Sequence, residues 1–105
     1  MSNIEQLLTR CDLHKEDDEA LVAIRMHSEG AYEGIMSGLG SVGNIVFWAC
    51  DNKNYTDEMA REDLCNLGEM LMHLPGIASA LKFNADEADF NINERRQKKR
   101  KIIPA

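Results

Sequence analysis

The stretch GAYEGIMSGLGSVGN, Gly30 to Asn44, places five glycines within fourteen residues and contains a G-x-G-x-x-G at Gly38 to Gly43. Two incompatible folds follow from two readings of it. A dinucleotide-binding loop requires a buried strand before the first glycine, so that backbone and helix N-terminus can meet a pyrophosphate. The residues before Gly38, Ala31 to Ser37, do not alternate as a strand would. A chain of 105 residues also has no room for a doubly wound sheet. The phosphate-loop reading is therefore set aside.

Read as helix, the same glycines form a row. Gly30, Gly34 and Gly38 lie four apart and continue through Ser41, Ile45 and Trp48 on one face. Each interior glycine costs a helix about 1 kcal/mol relative to alanine. Such a concentration predicts that another backbone approaches closely there, as faces of small residues permit. The first expected neighbour is the 57–81 helix of the same chain. The alternative is a helix from a second copy or from another protein.

Working outward, Leu21, Ile24, Ser28, Ala31, Ile35, Leu39, Val42, Val46 and Ala49 recur in steps of three and four, the period of one long helix. The acidic cluster Glu16 to Glu19 suits its start, where free N–H groups favour anions. Asp51 to Asn54 supplies a polar turn, and Thr56 is a candidate N-cap for the next helix. That second stripe runs Met59, Leu64, Leu67, Met70 or Leu71, Leu74, Ile77 and Leu81. Pro75 interrupts it, which predicts a kink or break near His73. Ser2-Asn3-Ile4-Glu5 has the capping-box pattern of a short helix within residues 2–11. Residues 78–94 can continue as helix, and RRQKKRK (95–101) lacks periodicity. The expected fold is all-α, with two long antiparallel helices and shorter terminal ones forming a bundle that dimerisation completes. Residues 1–94 form the helical domain and residues 95–105 a flexible basic arm.

Composition narrows the function classes. Hydrophobic residues make up 44% and charged residues 29% of the chain, and the mean hydropathy is −0.39. This describes one soluble domain. Cys11, Cys50 and Cys65 are odd in number and form no C-x-x-C, which argues for a reducing, cytoplasmic setting. No leader-like opening and no long apolar run suggests export or a membrane span. Residues 1–94 hold all 18 acidic residues but only half of the 12 basic ones; the other six fall in residues 95–105. A strongly acidic body repels nucleic acid, so no direct binding by the folded part is expected. The basic arm, Arg95, Arg96, Lys98, Lys99, Arg100 and Lys101, is a candidate contact for nucleic acid or an acidic partner.

Catalytic and metal chemistry find little to stand on. Cys11-x-x-His14 is one ligand pair, whereas a structural zinc site needs two. Cys65 and His73 stand too far apart on one helix to form a nucleophile and base. The pairs Asp17/Asp18 and Glu62/Asp63 lie on polar faces, where nothing shifts their proton affinity for acid–base work. No enzyme, cofactor or metal is expected. Met70 and Met72 read first as core filler and alternatively as an adaptable partner surface, while Met36 and Trp48 are candidates for an exposed apolar patch.

At SVGNIVFWACD (Ser41–Asp51) and DLCNLGEMLMHLPGIASAL (Asp63–Leu81) the chain resembles small helical proteins of temperate phages and prophages. The likeness is to the epsilon-type derepression proteins of satellite phages, over residues 3–92. It rests on spacings of Leu, Gly and Ala, and carries no functional residue of that family onto a position here. The resemblance implies a binding protein that captures a helper phage's repressor, keeps it from its operator and so turns lysogeny to lytic expression. Two rival readings remain: a nucleic-acid accessory using the basic arm, and a DNA mimic presenting Asp17, Glu29, Glu33 and Glu62.

Overall fold

The computed structural model describes residues 3–102 and is helical almost throughout. Helix α1 spans Ile4–Leu8, a single 3-10 turn follows at Leu13–Lys15, and two long helices come next, α2 (Asp18–Ala49) and α3 (Asp57–Ile102). No strand occurs among the described residues. Among the described residues no helix is long and apolar enough to cross a membrane.

Local chemistry explains the helix starts. The Asp17 carboxylate caps α2 by accepting from the Ala20 N–H at 2.7 Å, and Asp18 and Glu19 occupy the first turn. Thr56 caps α3 in the same manner, its Oγ1 accepting from the Met59 N–H at 3.2 Å. The reversal between the helices holds a further side-chain contact, Asn54 N–H to Asn52 Oδ1 at 2.9 Å. At the start of α1, Asn3 stands at the N-cap without a side-chain cap bond. The Ser2 hydroxyl of the expected capping box lies outside the described residues.

After the reversal α3 returns beside α2. Arg25 reaches Asp89 at 3.4 Å and Asp18 reaches Arg95 at 2.8 Å, while residues 50–56 join the far ends. The core sits entirely at the end away from this reversal. Leu13 and Leu21 are its largest fully buried side chains, and Ala78, Ala80, Ala85, Ala88 and Ile92 of α3 complete it. The alanines let the 3-10 turn, α1 and α2 approach α3 closely. Asn84 fastens the piece after α1: its Nδ2 donates to the Leu8 carbonyl at 2.9 Å and its Oδ1 accepts from the Arg10 N–H at 2.9 Å.

The break expected near His73 does not occur: Pro75 lies inside α3, which runs as one helix of 46 residues. The proline lies on an exposed part of the helix, so the Leu71 carbonyl it leaves without an N–H partner is open to water. Just beyond it, α1 packs on Gly76, and Ala78 and Ala80 are buried, so this stretch of α3 is anchored by its neighbours. The helix also continues past Glu94, through the basic segment, to Ile102. Arg95 holds it there, donating to Asp18 and to the carbonyls of His14 (3.1 Å) and Glu16 (2.6 Å). Lys99 adds a second cation beside Asp18 at 3.6 Å. Cations in the last turn also suit the negative end of the helix. Residues 103–105 of the arm lie outside the described residues.

The molecule is extended rather than closed into a bundle, measuring 72 × 27 × 17 Å. Its radius of gyration is 20.0 Å, against about 13 Å for a compact domain of this length. Its surface is 8274 Å², against about 5,900 Å² for a compact monomer of this mass.

Candidate partner-binding surface

The end that carries the reversal, residues 36–73, has helices but no buried core. The inward stripe of α2, from Ile35 through Leu39 and Val42 to Ala49, is only partly covered by α3. Between the helices lies an apolar groove of about 480 Å³, lined by Val42, Ile45, Val46 and Ala49 from α2 and by Leu64, Leu67 and Met70 from α3. Tyr55 closes the end nearest the turn, its hydroxyl donating to Asp63. This bond, with some burial, raises the Tyr55 phenol above its usual proton affinity. Beside the groove, Phe47 and Trp48 meet edge to face with ring centres 5.5 Å apart. Both rings remain well exposed, Trp48 at 62%.

The glycine row does not pack where it was expected to. A Cβ added at Gly30, Gly34 or Gly38 would meet nothing within 4 Å, from α3 or from any other described element. The same holds for Gly40 and Gly43. The 57–81 helix is therefore not their neighbour, which corrects the intrachain reading. Ser41, Ile45 and Trp48 continue the row and are exposed. Ile45 belongs to both features, lining the groove while sitting in the row. The small residue that a neighbouring element does approach is Gly76: a Cβ there would stand 3.1 Å from Ile4 Cγ2. Met36 and Trp48 are exposed, as was open to them. Met70 and Met72, read as core filler, are exposed instead, Met72 at 73%.

The basic residues divide into two groups. Arg95 and Lys99 hold the start of α2, and Lys98 pairs with Glu94 at 3.5 Å. Arg96, Arg100 and Lys101 stand on the last two turns of α3 with no ion partner within the described residues. The acidic side chains of the mimic reading are dispersed. Asp17 caps α2 and Glu62 stands near the reversal. Glu29 and Glu33 line a second, charged cleft of about 490 Å³ with Arg25, Tyr32, Lys82, Asp86 and Asp89. Arg25–Asp89 spans that cleft from α2 to α3, while Lys82–Asp86 pairs along α3 on one wall. No three His, Cys, Asp or Glu side chains among the described residues converge as metal ligands would. The three thiols are free and exposed.

Sequence reasoning missed Leu13 and Asn84, which anchor the N-terminal piece, and the α3 wall of the groove. An isolated leucine among polar neighbours and an asparagine inside a helix carry no periodic signal. Leu64, Leu67 and Met70 were visible as a stripe, but a stripe does not tell which of its members a neighbour covers.

No family model, curated protein or solved structure matches the chain.

Proposed function

We propose that this chain is a protein-binding regulator of phage or prophage type, acting in the cytoplasm, that captures a transcriptional repressor and keeps it from its operator. The observation that carries the reading is the apolar groove at the reversal, with Ile45 exposed in its lining and Trp48 exposed close by. Large apolar side chains gathered at one end of a molecule mark a surface meant to be covered. A groove between two helices accepts the apolar face of a third. The open row Gly30, Gly34 and Gly38 extends this surface along α2 and lets a partner backbone come close. The phage-type resemblance of residues 41–51 and 63–81 supplies the target class, and those segments hold most of the groove.

The nucleic-acid accessory reading draws less support, because Arg95, Lys98 and Lys99 are engaged by carboxylates of the chain itself. The test is operator retardation in a gel. Excess protein should abolish retardation by a cognate repressor without shifting the DNA itself, and Trp48→Ala together with Leu67→Asp should remove that effect. Because the interface is apolar, capture should persist as salt rises, whereas a DNA mimic would release its target. Repressor that still holds its operator at excess protein ends the proposal.

A further inference from the structure

The ends of this molecule differ in charge, and the difference is not neutralised within the chain. Near the reversal Asp57, Glu58 and Glu62 have no ion partner within the described residues. At the other end Arg96, Arg100 and Lys101 have none either. Glu62 and Arg100 lie on the same helix, roughly 57 Å apart along its axis at 1.5 Å per residue. No bend in a continuous helix brings them together, so each end is left to meet the opposite charge of another molecule.

The back of α3, away from α2, carries a second signal. Met72, Phe83 and Phe90 are 73%, 41% and 60% exposed. They are eleven and seven residues apart, which at 3.6 residues per turn puts all three on one line. We infer that this line is the seam of a homodimer in which two copies pair side by side through α3, antiparallel, about a two-fold axis level with Leu81. The apolar line sets that register, because the midpoint of Met72 and Phe90 is residue 81. In this register Met72 of each copy faces Phe90 of the other while each basic end lies beside the other's acidic reversal.

The surface area agrees. The chain exposes 8274 Å², some 2,400 Å² above a compact monomer of its mass. An ordinary stable interface covers about 800 Å² per partner. The excess accommodates the α3 seam and leaves the groove, on the other side of α3, for a different partner. The inference therefore does not rest on the repressor-capture reading.

Two charge-reversed full-length variants test it by sedimentation equilibrium. One carries R96E, R100E and K101E; the other carries D57K, E58K and E62K. The native chain should be a dimer at tens of micromolar. Each variant alone places like charges at both junctions and should dimerise about tenfold or more weakly, as several exposed ion pairs lost together imply. Mixed in equal amounts, the two should recover dimer formation, because both junctions of the mixed pair then join opposite charges. M72E with F90E should yield a monomer whose helix content by circular dichroism is unchanged. A native monomer, charge-reversed variants that dimerise as well as the native chain, or a mixture without recovery would each overturn the inference. A dimer confirmed in this way that fails to release a repressor from its operator would sink only the repressor reading.

Discussion

Two glycines, Gly34 and Gly76, carry opposite meanings. At Gly34 a methyl group would meet open space, so Gly34→Ala should stabilise the free protein by up to about 1 kcal/mol through helix propensity alone. The same change should weaken capture of a target, if a partner backbone lies on the row. Thermal unfolding and operator release measured on one preparation separate the two effects. At Gly76 the Ile4 side chain stands in the way, and Gly76→Val should displace α1 and lower stability by about 1–3 kcal/mol, the usual range for overpacking. A stability loss at Gly34 or tolerance at Gly76 would show these assignments reversed.

Charge at single residues has a similar local logic. The Arg95 guanidinium bound to Asp18 holds that carboxyl below the usual range, as Arg10 does for Asp12. A carboxyl depressed on folding stabilises the fold above its unfolded value of about 3.9 and loses that contribution as pH falls through the folded value. Acidification from pH 6 to below about 3 should therefore loosen the 10–18 segment first. Amide protection factors across the titration would check it. Uniform protection down to acid pH would argue against the clamp.

At the scale of the element, α3 contradicts its own sequence at Pro75. An interior proline costs a helix about 3 kcal/mol by removing a donor and crowding the preceding turn. Because this helix continues regardless, Pro75→Ala should raise the unfolding midpoint in denaturant, and unchanged stability would mean that the local strain is absorbed elsewhere. The C-terminal turns make the companion case. RRQKKRK has no apolar period, yet it is helical, because Arg95 and Lys99 are fixed on Asp18 across the molecule. Periodicity reports which face a helix buries, and these turns are held by ion pairs instead.

For the whole molecule, stability must be uneven. Among the described residues, buried side chains occur only where α1, the 3-10 turn and the start of α2 meet residues 78–92 of α3. The half at the reversal has few buried contacts to protect its backbone, so amides in residues 40–70 should exchange faster than those in 80–92. Mass-resolved hydrogen exchange of the free protein would show this gradient. Adding a target that fills the groove should slow the fast half selectively, whereas equal protection along both halves would contradict the division.

The sequence by itself determined the all-helical class, both long helices, the reversal near residues 51–55 and the cap at Thr56. Each of these depends on local spacing or on hydrogen bonds within a few residues. The side of α2 left bare, the helix spanning Pro75, the exposure of Met70 and Met72 and the anchoring by Leu13, Asn84 and Arg95 were decided only by the tertiary structure. The physical reason is separation along the chain. Asn84 meets Leu8 and Arg95 meets Asp18 across more than seventy residues, and no pattern of neighbouring side chains encodes which distant backbone will arrive.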